Sequence, residues 1–152
     1  PLLNLKGEVI GINTAMVIGA QNIGFALPIN QVKKAIESVK GTGKIVIPFL
    51  GVRYLKITPE LAKKENLPTE NGALIQGSED GPGIIPNSPA EKAGLQAEDI
   101  IVEFNNEKID QDHSLAYLIQ KYNVGDTVTL KILRKDKEIF LQATLEKKPI
   151  NL

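Results

Sequence analysis

Asn87-Ser88-Pro89-Ala90-Glu91-Lys92-Ala93-Gly94-Leu95-Gln96-Ala97-Glu98-Asp99-Ile100-Ile101 reads as a capped helical turn that hands directly into a buried strand. Ser88 can take the first free amides, and Pro89 stands where its missing N–H costs nothing. Glu91 completes a Ser-x-x-Glu box, and Gly94 can adopt the left-handed stop. Upstream lies Phe49-Leu50-Gly51-Val52, an apolar run interrupted by a glycine. If the chain turns at Leu50-Gly51, consecutive N–H groups converge into an anion nest, and Gly51 lets a carboxylate approach the backbone. A peptide C-terminus could then extend along Val52-Arg53-Tyr54-Leu55 as an added strand, its last side chain in an apolar pocket.

Around these two segments the chain alternates strands and short helices. A strand is expected over 45–55, a helix opened by Thr58-Pro59-Glu60, and strands over 72–76 and 100–104. A longer helix capped by Asp110 or Asp112 carries the stripe Leu115, Leu118, Ile119 and Tyr122. Plain core packing accounts for most of that stripe, but an edge of it, at Leu115, Leu118 and Ile119, can line the groove. In the final hairpin Val128, Leu130 and Ile132 alternate with Thr129, Lys131 and Leu133, then turn at Lys135-Asp136-Lys137 toward Ile139, Leu141, Ala143 and Leu145. The fold class is mainly β with helices (α+β), a partly open β-barrel capped by helices.

Residues 1–43 read differently. Asn4-Leu5-Lys6-Gly7 is a hairpin turn, residues 8–15 and 23–27 are short strands, and Asn30 caps a helix with Val32, Ala35, Ile36 and Val39 on one face. Gly41-Thr42-Gly43 ends it as a linker. So short a piece cannot enclose a core alone and belongs to a larger body. The opening on Pro1-Leu2-Leu3 suggests the middle of a longer polypeptide.

Lys plus Arg and Asp plus Glu both number 18 in 152 residues, so no net field draws in nucleic acid. There is no Cys, which excludes disulfides and thiolate chemistry. No apolar run approaches the roughly 18 to 20 residues of a membrane span. Gly41-Thr42-Gly43-Lys44 fails as a phosphate loop because Ser38 and Ile45 stand at required Gly and Ser/Thr positions. Glu79-Asp80 is a solvated pair rather than a calcium site, and no metal or cofactor is expected. A hydrolytic triad needs a Ser within reach of a His oriented by an acid. The only histidine, His113, adjoins Ser114 at a helix opening where neighbouring side chains diverge. No catalytic residue is expected in this chain.

The 49–52 run and the 88–101 stretch together resemble the PDZ domain, a binder of peptide C-termini. Residues 1–15, followed by Asn22-Ile23-Gly24-Phe25-Ala26-Leu27-Pro28, resemble the end of the trypsin-like domain of HtrA/Deg serine proteases, in which a PDZ domain follows the protease. The resemblance spans the chain, with a protease remnant and linker helix at 1–43 and a PDZ domain at 44–148. It implies that Phe49, Leu50, Gly51, Val52, Arg53 and Tyr54 bind peptide. It also implies that Asn13, Thr14 and Ala15 offer a strand edge to substrate while Gly24, Phe25 and Ala26 wall the specificity pocket, unless Gly11 and Gly24 only ease strand packing. The implied parent is a quality-control endopeptidase of the cell envelope, assembled as a homo-oligomer (a trimer), acting on polypeptide C-termini or unfolded proteins. The alternatives are a non-catalytic PDZ adaptor or chaperone-like module, and a PDZ domain from another membrane-linked or tail-specific protease, which the first forty or so residues disfavour. The chain departs from the family at Glu98, where Gly is usual, in its longer loop over 77–84, in lacking a basic residue before Phe49, and at Lys137.

Overall fold

Asn4 closes the first turn by accepting the amides of Lys6 (2.9 Å) and Glu8 (3.0 Å) on its side-chain oxygen, with Gly7 left-handed at φ +78°. This turn joins β1 (Leu2–Leu3) to β2 (Val9–Met16), which pairs on its other side with β3 (Gly24–Pro28); all three run antiparallel. Helix α1 (Ile29–Thr42) follows and stops at Gly43, whose N–H donates to Val39 O (2.8 Å) at φ +73°. Asn30 is not its cap. The helix starts two residues earlier, at Ile29, with Pro28 at the N-cap and no capping side chain; the N–H that proline lacks would have been unsatisfied there in any case. The computed structural model describes residues 1–16, 24–79, 81–135 and 137–149, and the chain divides into two units, Pro1–Val46 and Ile47–Leu152. Asn22, Ile23, Asp80 and Asp136 of the expected motifs lie outside the described residues.

The second unit contains β4 (Pro48–Phe49), β5 (Tyr54–Lys56), α2 (Pro59–Lys64), β6 (Ala73–Ile75), α3 (Pro89–Lys92), β7 (Ile100–Phe104) and β8 (Glu107–Lys108). It ends with α4 (Leu115–Ile119), β9 (Thr127–Arg134), β10 (Lys137–Thr144) and β11 (Glu146–Lys147). The main sheet has the order β10-β9-β7-β6-β5 with β8 against β7, and β4 pairs with β11. The fold is mostly β with helices, as expected, but among the described residues these sheets stay open, with β10 and β5 as free ends, rather than closing into a barrel. The expected strand over 45–55 is broken by Gly51 at φ +92°, which ends β4's pairing before β5 begins.

Alternation in β9 puts Val128, Leu130 and Ile132 into the core against Leu50, Ile75, Ile101, Phe104, Leu115 and Leu118. A smaller cluster of Ile57, Ala62 and Ile100 lies under α2, whose cap is Thr58 as the sequence predicts. Helix α4 is shorter than expected and is capped by Ser114, which accepts the Tyr117 amide (3.3 Å). Asp110 is instead turned onto the preceding loop, taking the amides of Asp112 (2.9 Å) and His113 (2.7 Å).

The 88–101 stretch forms the capped turn its sequence describes. Ser88 Oγ accepts the Glu91 amide (3.3 Å), and Gly94 turns left-handed at φ +81°. The box is shifted: the Glu91 carboxylate takes the Asn87 amide (2.7 Å), because the Ser88 amide is already given to Ile85 O (3.2 Å). Glu98 stands at φ +70°, where a side chain is strained by roughly 1 kcal/mol. Next to it Asp99, 1% exposed, takes the Gln96 amide (2.8 Å) and two guanidinium bonds from Arg134 (2.7 Å each). Arg134 also donates to Gly94 O (2.8 Å), so one side chain ties the end of β9 to the turn after α3. Its hydrogen bonds to Asp99 hold the guanidinium above its ordinary pKa.

Candidate peptide-binding site

Two carbonyls decide which way the backbone donors at Leu50-Gly51-Val52 point. Leu50 O accepts from Ala90 N–H (2.8 Å), at the start of α3. Gly51 O accepts from Ile85 N–H (3.0 Å) and from the Ser88 hydroxyl (3.3 Å). Both peptide units are trans, so each N–H lies opposite its carbonyl. The amides of Gly51 and Val52 therefore point together away from the 85–90 segment. Among the described residues no group accepts from the amides of Leu50, Gly51 or Val52.

Glycine is required at the centre of this loop. Gly51 is left-handed at φ +92°, and a Cβ there would sit 2.5 Å from Ser88 Oγ and overlap the Ser88 Cβ. The cap of α3 is thus also the backing of the loop, a double role that the sequence shows only as a cap.

The strand edge beside the loop is open. Arg53 uses both backbone groups inward, its N–H on Gly83 O (2.7 Å) and its carbonyl on Gln76 N–H (3.2 Å). Val52 opposes Ile84 in a bridge framed by such bonds, and Tyr54 opposes Ile75. By antiparallel alternation, the N–H and C=O of Val52 and Tyr54 face the other way, off the end of the sheet. That edge carries unpaired donors and acceptors in line with the loop's amides.

Leu50 is 1% exposed and reaches into the core, while Phe49, Val52 and Tyr54 are half-buried. Arg53 points off the groove: its Nη1 donates to Pro82 O (3.0 Å) and its guanidinium packs on Gly81, holding the long 77–84 loop. Leu115 and Leu118 are fully enclosed in the core, and Ile119 is half-buried. The helical stripe thus turns its centre inward and leaves its flank toward solvent. Sequence reasoning missed Tyr54 as a crossing residue. Its hydroxyl accepts the Ala116 amide (3.2 Å), and Lys56 Nζ donates to Gln111 O (2.6 Å), both bridging from β5 toward the α4 end of the fold. Only the period-two spacing of Val52, Tyr54 and Lys56 signals their shared face.

In the first unit the other predicted residues come together on the antiparallel pair β2 and β3. Asn13 opposes Ala26, Ala15 opposes Phe25, and Thr14 sits at the irregular step between, donating from Oγ1 to Phe25 O (3.2 Å). All are exposed, and so is Gly24. Strand β1 reaches only the Val9 and Gly11 end of β2, so residues 13–15 keep one free edge among the described residues. Gly11 is closely packed, with a would-be Cβ 3.1 Å from Leu27 O, whereas at Gly24 the nearest atom is 3.8 Å away. Packing explains Gly11; it does not explain Gly24.

His113 Nδ1 lies 3.0 Å from Asp110, and the Asp110 carboxyl is held below its ordinary value chiefly by the His113 amide. Ser114 Oγ is engaged as the cap of α4, accepting the Tyr117 amide.

The geometry is an open sheet edge beside a loop of free amides, an arrangement able to pair with an extended chain. The PDZ domain family matches residues 48–145, and the chain belongs to that family. Over nearly its full length it is also a relative of HtrA/Deg serine proteases. It is 37% identical over 152 residues to a probable periplasmic serine endoprotease, DegP-like, of Marinomonas sp. (strain MWYL1), covering 98% of this chain and 31% of the relative. It is 36% identical to the serine protease Do-like HtrB of Bacillus subtilis (strain 168), covering 97% and 33%. Among solved structures, the HtrA-type protease AlgW with decapeptide superposes with a TM-score of 0.73 at 26% identity, over 94% of this chain and 43% of that one. The chain spans about a third of the length of these curated relatives.

Proposed function

We propose that residues 47–152 capture C-terminal or exposed apolar peptide segments by strand addition, within an HtrA-like serine endopeptidase of protein quality control. In this reading the terminal carboxylate is held by the Leu50, Gly51 and Val52 amides, and the guest runs antiparallel to β5 from Val52 toward Lys56. The observation that carries it is the fixed turning of the Leu50 and Gly51 carbonyls onto Ala90, Ile85 and Ser88, which presents consecutive donors beside an unpaired edge. The solved structure of the HtrA-type protease AlgW with decapeptide supports the same assignment.

Residues 1–43 are proposed as the tail of the trypsin-like domain, with Asn13, Thr14 and Ala15 as a substrate-pairing edge and Gly24, Phe25 and Ala26 beside the specificity pocket. Catalysis would then reside in chain outside this sequence. The parent is proposed to act in the cell envelope, a reading that relatives named periplasmic support, and to be a homo-oligomer, as the family resemblance implies. The balanced charge, 18 basic against 18 acidic residues, favours polypeptide over nucleic acid as partner.

Calorimetric titration with apolar-ended peptides tests the groove. Saturable binding near micromolar, about 8 kcal/mol, is expected for the free acid. Amidating the terminus should weaken it at least about tenfold, by removing the charged acceptor. Equal affinity for acid and amide would refute the assignment.

A further inference from the structure

On the groove reading just given, we infer that Tyr54 and Lys56 select the guest's sequence upstream of its carboxylate: a small residue third from the end and an acidic residue fifth from the end. Val52, in its isolated bridge to Ile84, and Tyr54 and Lys56, in β5, stand at alternate positions of one extended edge, so their side chains share a face. A guest held at its carboxylate by the Gly51 and Val52 amides places its last residue opposite Val52. Antiparallel register then sets its third-from-last residue opposite Tyr54 and its fifth-from-last opposite Lys56. Directly opposed side chains stand on the same face with Cβ atoms about 5 Å apart.

What each guest side chain meets follows from the bridges already present. Tyr54 is extended across to α4, its oxygen fixed on the Ala116 amide at 3.2 Å. That amide belongs to the first turn of the helix, where no intrahelical carbonyl is available, so the phenol satisfies a donor that would otherwise need water. The ring fills the volume that a large third-from-last side chain would enter. Swinging it aside gives up the bond to Ala116. The hydroxyl proton of Tyr54 has no acceptor among the described residues, so a small polar guest side chain can take it.

Lys56 reaches the same way, with one of its three ammonium donors on Gln111 O at 2.6 Å. The neighbouring Gln111 side chain donates to Ile57 O (3.0 Å), which keeps that carbonyl in place near the strand. Lys56 is exposed, so its remaining donors are open to a guest side chain placed opposite it. A carboxylate opposite is favoured weakly and in a salt-dependent way.

The test is fluorescence anisotropy on the full chain with the labelled free-acid peptide Gly-Gly-Glu-Gly-Ala-Gly-Val and single replacements in it. Replacing its Ala by Leu should weaken binding about tenfold in the unmodified protein, as for overpacking of a fixed site. Tyr54→Ala should abolish that discrimination. Tyr54→Phe, which keeps the ring and loses only the oxygen, should reduce it to about threefold or less, and carries the test if Tyr54→Ala fails to fold. Replacing Glu by Lys should weaken binding about threefold at low salt, an effect absent in Lys56→Ala and in about 1 M salt. Throughout, the amidated peptide should bind far more weakly than the acid. Retained acid dependence with equal affinity for the Ala and Leu peptides, or undiminished discrimination in both Tyr54 variants, overturns this inference alone. Loss of acid dependence overturns the groove itself and the inference with it.

Discussion

The two units carry apolar side chains in equally regular patterns and use them in opposite ways. In Pro1–Val46 only Gly11 is buried among the described residues, while Leu2, Leu3, Val9, Ile10, Ile12, Phe25, Leu27, Ile36 and Val39 are all exposed. In Ile47–Leu152 the alternation of β9 and the cap of α3 enclose a continuous core running from Leu50 to Leu145. Amphipathic pattern alone therefore does not make a folding unit. A second layer must be present to receive the apolar face, and only the second unit contains its own.

The largest effect is expected on cutting the chain between the units. Residues 47–152 alone should melt cooperatively by circular dichroism, and residues 1–46 alone should show no transition; a cooperative 1–46 fragment would break the contrast. Matched truncations sharpen it. Ile132→Ala, at a fully buried site, should lose about 2 to 5 kcal/mol in urea unfolding, and Ile12→Ala, in the exposed sheet, less than about 0.5 kcal/mol. Next comes Asp99→Ala, which strands the Arg134 guanidinium and should lose about 2 to 4 kcal/mol. That is kept below the range for a fully buried pair because the Arg134 side chain is 24% exposed.

Gly51→Ala should lose about 1 to 3 kcal/mol through its left-handed backbone and the clash with Ser88, and should abolish peptide binding. Gly41→Ala, in open space inside α1, should be neutral or slightly stabilising. The smallest effect is in pH. Asp110 is held below its ordinary 3.8, chiefly by the His113 amide, so its contribution is present above that pH and lost as the pH falls through the lower folded value. NMR titration should show a midpoint below 3.8; one above it would contradict the loop geometry.

Much of the second unit was legible because its signals are local. Ser88, Pro89 and Gly94 specify a turn within seven residues, and the beat of Val128, Leu130 and Ile132 specifies a strand face. Glu98, singled out as a departure from glycine, does stand in the left-handed region. The misreadings arose where local rules competed. Asp110 and Asp112 are good caps, but Ser114 directly precedes the first helical residue and Asp110 is drawn into the loop before it. The Tyr54 bridge to Ala116 joins positions 62 residues apart and left no periodic trace. The facing of Gly51 was legible only in part: glycine announced the turn, while the direction of its amide depends on Ala90, Ile85 and Ser88, which sequence spacing does not connect to it.

The most direct test of the anion-holding loop is the proton shift of its own amides. In a 15N-resolved titration with an apolar-ended free-acid peptide, the Gly51 and Val52 amide protons should move downfield more than any others, and the amidated peptide should leave them in place. Saturable binding that moves neither amide, or moves them equally for acid and amide, would contradict the account.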